Sequence, residues 1–491
     1  MVPNLPDELW LLIFQEYISK AEGAWIPPES HSTTGPFVLS AVSANWRRIC
    51  LSNWAIWSTI FISFPLYQRR NHLDGPTLDA EERFQAHIDA LKLWIQRAGG
   101  SKLWLAYWMD EETFDFQSES AEQIAQIVVD NAPKIRKLNM WAFSECWYPL
   151  LSGVSFPVLE RMEIAVPELV RFLDGGIAGR SLTEFTPLDL EKCPLLSSVD
   201  ITGSPKLHSG IILPWTQIDD LTIRHVDLAD ITEVLDLMPN LRRCRFYLPW
   251  GYDEWEGGDA VEVLEENYAG QRRQGSKALE VLRIGDMIGM GVHALLGCVP
   301  LGLTHLEIDF NEQFQPDNDG SVLLPVLPFS DSLKILVIKG YTFGKGEADP
   351  IPSQHNQGEW DTLLDAFSKL SKLEELEVGL GEGSRTMDDA TFARTFTLPG
   401  ILPKLTRLRL GVPKLVSDQT LLDFLHYRRH SLLPQGASRD CTMIQEVVIV
   451  PETPHDLAAG TLAEIEILQR GGARANQVTE LREEMGLRFC K

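Results

Sequence analysis

Hydrophobic positions recur along this chain in two rhythms, and the first is helical. Pro6 stands where a first turn can begin, with Asp7 and Glu8 behind it to complement the helix dipole. The stretch LWLLIFQEY then carries two apolar stripes, Leu9, Leu12 and Ile13 on one side and Trp10, Phe14 and Tyr17 on another. A helix needs one stripe to pack on its own domain, so the second predicts another partner. Residues 19–36 are rich in Gly, Pro, Ser and Thr and read as a loop. A second helix is expected from about Pro36, with Val38, Val42, Trp46 and Ile49 at near-helical spacing. Asn53 can cap a short turn, WAIW, ahead of an apolar extended stretch at Thr59 to Ser63.

Further on, the rhythm becomes that of strands. The pattern apolar-x-x-apolar-x-apolar begins at Ile135, Leu159, Leu196, Ile218, Leu241, Leu279, Leu303, Leu333, Leu373, Leu405 and Ile444. Pro133, Pro157, Pro194, Pro239 and Pro403 each stand two residues before one of these starts. Proline ends a preceding helix and favours extended backbone before it, so the coincidence has a physical basis. Helical stretches lie between many of the starts: AEQIAQIVVDNAP, LADITEVLDLMP and WDTLLDAFSKLSK. RFQAHIDALKLWIQRAGG followed by KLWLAYW reads as one more helix and strand. Helix and strand alternating at irregular intervals of 22 to 40 residues predict an α/β repeat array with a parallel sheet.

These segments resemble two known families. LPDELWLLIFQEY, VLSAVSANWRRIC and NWAIWSTIFI are similar to the F-box in its fungal form, through Leu5, Pro6, Glu8, Leu9, Ile13, Phe14, Val42, Ser43, Trp46, Arg47, Trp54 and Trp57. LERMEI, LRRCRF, LEVLRI, LTHLEI, LKILVI, LEELEV and LTRLRL resemble irregular leucine-rich repeats, although the Asn that often follows that motif occurs only as Asn311. The resemblance implies a small all-α domain over residues 1–62. It would be followed over 63–491 by a leucine-rich-repeat solenoid with its sheet on the concave face, helices on the convex face and a C-terminal helical cap. It also implies a function: a substrate-recognition subunit of a cullin-type, SCF-like ubiquitin ligase. The F-box would dock on a Skp-type adaptor through Leu5, Pro6, Leu9, Ile13, Phe14, Val42 and Trp46, and the repeats would bind a protein client. The alternative is a repeat scaffold that binds partners outside any ligase.

Composition narrows the partners. The 491 residues carry 44 basic and 69 acidic side chains, for a net charge of −25. Such a chain repels polyphosphate and anionic lipid, so nucleic acid and membrane are not expected as main partners. Seven cysteines without a CxxC pair read as reduced thiols. The first residues have neither the basic start nor the apolar run of a secretory leader, and no stretch approaches the ~20 apolar residues of a membrane span. A cytoplasmic or nuclear location is the expectation.

Against that acidic background, solvent-facing positions of neighbouring repeats hold Arg224, then Arg243, Arg245 and Tyr247, then Arg283, then His305. This basic row is a candidate site for an acidic or phosphorylated client segment. The bland reading pairs these arginines with Asp220, Glu307 and Asp309. Glu375 and Glu377 should lie beside Arg407 and Arg409 as a stabilising ladder. Trp104, Trp108 and Trp141 are candidates for the array's entrance or for packing against the helical domain. Loops are expected near 249–259, 311–320 and 343–359. No nucleotide, zinc-protease or serine-hydrolase motif occurs, and a DNDG run at 317–320 lacks the closing Glu of a calcium loop, Pro328 standing there. No catalytic residue, metal or cofactor is expected.

Overall fold

A computed structural model describes residues 5–21, 35–64, 79–109, 119–141, 147–165, 187–202, 211–224, 235–247, 278–287, 302–310, 329–341, 365–380, 401–412 and 446–451, with isolated positions between 296 and 299 and between 392 and 427. The chain divides into two compact units, residues 1–238 and 239–491.

The first unit opens with three helices, α1 (Asp7–Ala21), α2 (Gly35–Val42) and α3 (Ala44–Ser52). The Pro6 carbonyl accepts the first helical hydrogen bonds, from the amides of Leu9 and Trp10. Ser43 caps α3 by accepting from the Trp46 amide at 3.1 Å. Asn53 caps the following 3₁₀ turn, Trp54–Trp57, by accepting from the Ala55 amide at 3.2 Å. The Trp57 indole donates back to the Cys50 carbonyl at 2.9 Å. The break expected at residue 19 comes later, since α1 runs on to Ala21. Most of the expected 19–36 loop (22–34) lies outside the described residues.

The turn leads into β1 (Thr59–Phe64), α4 (Asp79–Ala98) and β2 (Leu103–Met109), and β1 pairs with β2 in parallel. The boundary expected at residue 62 therefore falls inside a continuous strand, within the first unit. Phe37, Trp57 and Trp94 meet edge to face at 5.1–6.0 Å, and the Arg97 guanidinium lies over the first two rings, so α4 is fastened to both α2 and the turn. The unit continues through α5 (Glu119–Asn131), β3 (Ile135–Trp141), α6 (Trp147–Leu151), β4 (Arg161–Ala165), β5 (Leu188–Asp189), β6 (Ser198–Thr202), β7 (Ile211–Ile212) and β8 (Asp220–Arg224). Its sheet runs β1-β2-β3-β4-β6-β8, every pair parallel, and β5 and β7 pair separately.

The second unit holds β9 (Arg243–Tyr247), β10 (Val281–Met287), β11 (His305–Phe310), β12 (Ile335–Tyr341), β13 (Glu375–Leu380), β14 (Arg407–Val412) and β15 (Glu446–Pro451), parallel and in chain order. All eleven sequence patterns therefore form strands. Their apolar positions make the core: Leu241, Cys244 and Phe246, Leu279, Leu282 and Ile284, and Leu333, Leu336 and Ile338 are all buried. The second position of each pattern extends the ladder. The Glu280 amide donates to the Arg242 carbonyl, Thr304 to Glu280, Lys334 to Thr304, Glu374 to Lys334 and Thr406 to Glu374, all at 2.7–3.0 Å. Each turn thus satisfies its backbone on its neighbour, which is how repeat arrays grow. The expected prolines sit in the turns before β3, β4, β6, β9 and β14. The three expected insertions and the C-terminal tail lie outside the described residues.

Candidate functional site

Two residues of the aromatic stripe of α1 are buried, and the rest of both stripes is exposed. Trp10 and Phe14 turn inward, and Phe14 is 0% exposed. Their rings meet the Trp46 ring of α3 at centroid distances of 4.8 Å each. Leu9, Leu12 and Ile13 stay outside at 45%, 61% and 47% exposure, with Tyr17 beside them. Of the expected docking residues, Pro6, Leu9, Ile13 and Val42 are exposed, and Leu5 and Trp46 are half-buried. Phe14 is a correction. It fills the small helical core, because an aromatic ring packed against Trp46 removes more apolar surface from water than Leu9 or Ile13 could there. Leu12, Leu51 and Trp54 are exposed apolar side chains that the docking list omitted. Leu12 was visible as a member of the first stripe. On this layer the Arg48 guanidinium pairs with the Asp7 carboxylate at 2.7 Å.

The second surface is the polar face of the second unit's sheet. Register sets its rows. One row reads Arg245, Arg283, Glu307, Val337, Glu377, Arg409, and its neighbour reads Arg243, Val281, His305, Ile335, Glu375, Arg407. The expected ladder is present, with Arg407 paired to Glu375 and Arg409 to Glu377 at 3.7 Å. Both arginines are about half exposed, so each pair contributes at most about 1 kcal/mol. Reversing Glu377 alone (Glu377→Arg) is expected to lower the unit's stability slightly in urea titrations, and adding Arg409→Glu to restore it.

Glu307 is gripped from both sides, by Arg283 at 2.9 Å and Lys339 at 2.6 Å. Burial pushes its carboxyl up, but the Lys339 hydrogen bond and the charges of Lys339, Arg283 and His305 outweigh that and hold it below the usual range. A carboxyl held low stabilises the fold above its unfolded value, about 4.3, and that stability is lost as pH falls through the folded value. Melting curves from pH 6 down to 3 are expected to fall more steeply in the native chain than in Lys339→Met, which lacks the grip. His305 is half-buried, and burial with the nearby Arg283 charge lowers its pKa, so the neutral ring is favoured.

Of the six expected client residues, five lie in the second unit and one in the first. Arg224 belongs to the first unit, where its guanidinium donates to the buried Asp200 carboxylate at 3.2 and 3.3 Å. Arg283 carries the Glu307 pair, as the bland reading held. Arg243, Arg245 and Tyr247 share one face of β9, with Arg283 and His305 on the next two strands. Sequence reasoning missed Lys339 as the second cation on Glu307, and it missed Asp200. In β6 and β8 three consecutive residues are buried, including Asp200 and Thr222, so strict alternation fails there. On the outward face of β2 and β3, Trp104 lies edge-on to Phe61 at 5.3 Å and under the Lys137 ammonium at 4.3 Å. The side chains of Trp108 and Trp141 lie outside the described residues.

Among the described residues, Cys50, Cys193 and Cys244 are buried free thiols. Burial pushes Cys50 and Cys193 up to about 11, which leaves them inert as nucleophiles. Among the same residues no cluster of three or more His, Cys, Asp or Glu side chains could hold a metal ion, and no helix is long and apolar enough to cross a membrane.

No family model matches the chain. No curated protein matches it either. Among solved structures it is similar to the crystal structure of a TLR13–ssRNA13 complex, at 12% identity and a TM-score of 0.28, over 73% of this chain and 54% of that one. The chain thus spans about half the length of that structure, and a likeness this loose adds nothing to the reading of the fold.

Proposed function

We propose that this chain is a substrate-recognition subunit of a cullin-type, SCF-like ubiquitin ligase. Its helical layer would dock on a Skp-type adaptor, and the polar faces of its parallel strands would receive a protein client. One observation supports this reading above the others. Trp10 and Phe14 of α1 are enclosed, while Leu9, Leu12, Ile13 and Tyr17 stay exposed on the same helix with Val42 exposed on α2. An apolar row left in water on a helix whose own packing is complete is the surface a partner helix would cover. The F-box resemblance of residues 3–62 supplies the partner's identity. The chain would hold no catalytic residue, and its contribution to rate would be proximity, keeping a client lysine near a charged ubiquitin carrier.

The experiment is co-purification of the full chain with a recombinant Skp-type adaptor. A stable complex that Leu9→Ala with Ile13→Ala abolishes is the expected result. A chain that folds but never captures the adaptor would leave a repeat scaffold acting outside a ligase.

A further inference from the structure

Lys102, Lys134, Arg136, Lys137 and Arg161 stand at or just before the starts of β2, β3 and β4 in the first unit. All but one are answered locally. The Glu160 carboxylate takes Arg136 at 2.8 Å and Lys102 at 3.8 Å. The Lys134 ammonium donates to the Gly99 carbonyl at 3.0 Å. Lys137 lies over the Trp104 ring. Arg161 differs from them. It is exposed, and among the described residues no carboxylate, carbonyl or ring meets its guanidinium. Glu163, two residues along β4, accepts from Asn139 at 2.6 Å instead. Register also sets Arg161 directly beside Lys137. Like charges directly opposite on neighbouring strands are destabilising. A chain with 69 acidic side chains therefore leaves this guanidinium unmatched, beside a second cation.

The neighbours of Arg161 complete a row. On its other side register places Ser198 of β6. Ser198 is half-buried, and its hydroxyl makes no hydrogen bond among the described residues. Outward positions of four adjacent strands thus read Trp104, Lys137, Arg161, Ser198. At the β1 end Phe61 lies edge-on to Trp104, and both rings are half-buried. The row has an apolar end, then two cations, then a hydroxyl.

We infer that Arg161, flanked by Lys137 and Ser198, binds one side-chain carboxylate of an extended client segment that crosses these strands, while the Phe61–Trp104 end takes an apolar residue two positions from that acid. The planar guanidinium fork donates to both carboxylate oxygens, and the Lys137 ammonium and Ser198 hydroxyl can each donate from the flanking strands. Neighbouring strands lie about 4.8 Å apart, so the midpoint between Lys137 and Arg161 is about 7.2 Å from Trp104. Alternate residues of an extended peptide share a face at an interval of about 6.7 Å, which matches that span. The unmatched charge is a single guanidinium, which a monoanionic carboxylate balances and a phosphoryl dianion would exceed. This names the client chemistry of the proposed function, and it rests on the client-binding half of that reading, not on adaptor docking.

The test is fluorescence anisotropy with the purified full chain, no adaptor present, and labelled peptides of one frame. Ser-Leu-Ser-Glu-Ser is expected to bind at least about ten-fold tighter than Ser-Leu-Ser-Gln-Ser, and to weaken as salt is raised. Ser-Ser-Leu-Glu-Ser, with the same composition but the wrong interval, should bind several-fold more weakly. Arg161→Glu is the deciding variant. It should remove the preference for Glu over Gln and leave the melting temperature unchanged or raise it, because the native residue stands against a like charge. Ser198→Ala should weaken the acidic peptide several-fold. Lys369→Glu, which reverses one charge of the exposed Lys369–Asp365 pair outside the strands, should leave binding as it is. Equal binding of the Glu and Gln peptides, binding untouched by Arg161→Glu, a clear fall in its melting temperature, or binding only of the peptide with phosphoserine in place of Glu would each overturn the inference. Adaptor capture is a separate measurement, so either proposal can fail while the other stands.

Discussion

Phe14→Ala is expected to cost about 3–5 kcal/mol and to loosen the whole helical layer, whereas Leu9→Ala with Ile13→Ala should leave stability nearly unchanged. The phenylalanine ring has no exposed surface and packs on Trp46, 4.8 Å away, with Trp10 6.0 Å away. Removing it leaves a void beside the paired Trp10 and Trp46 indoles that cannot readily close up, because α3 is anchored at one end by the Ser43 cap and its Cys50 carbonyl accepts from the Trp57 indole. Leu9 and Ile13 have about half their surface in water, so their truncation opens no cavity. Hydrogen exchange over residues 7–52 separates the outcomes. Phe14→Ala should expose those amides and lose adaptor capture through unfolding. The double leucine–isoleucine variant should keep the amides protected and lose capture alone. The reverse pattern would mean that the stripes have been assigned to the wrong sides of α1.

The second large effect belongs to Gly340. Its φ of +64° lies in the left-handed region, inside β12, where the pairing with β13 shifts register between Ile338 and Tyr341. A Cβ there would stand 2.1 Å from the Phe310 carbonyl oxygen on β11. Left-handed backbone costs an ordinary residue about 1–2 kcal/mol, and the collision is with backbone, which no rotamer change can relieve. Gly340→Ala should therefore cost at least about 3 kcal/mol, with loss of amide protection concentrated in β11 and β12. Gly379→Ala is the matched control. It lies on the adjacent strand, but the nearest atom its Cβ would meet is 3.7 Å away, an ordinary contact. That variant should stay within about 1 kcal/mol of the native chain. Equal effects at the two glycines would mean that the bulge is not required.

The strand pattern was readable because each repeat buries the same three positions against its immediate neighbours, and that demand recurs locally at every turn. The charge ladder of Glu375 and Glu377 with Arg407 and Arg409 was readable for a related reason. Parallel strands in equal register carry equal pattern positions side by side, so two adjacent motifs suffice to predict the pairing. The basic row was less legible. Sequence alone could not choose which of 69 carboxylates takes each arginine, and Arg224 found Asp200 on β6, two pattern positions from where the Asp220 pairing had been expected. Lys339 was missed as a partner of Glu307 because register sets it beside Asp309, and it reaches the Glu307 carboxylate diagonally across the neighbouring strand.

What the amino-acid order by itself determined here is everything that repeats or acts within one turn: the eleven strand motifs, the prolines that precede five of them, the Ser43 and Asn53 caps, and two greasy stripes on the first helix. Only the tertiary structure decided which stripe is core, because that choice depends on Trp46, more than thirty residues along the chain. It also decided that Arg245 and Arg283 stand together without an acid between them. Periodicity says which way a side chain faces; what it meets there is settled by the approach of distant segments.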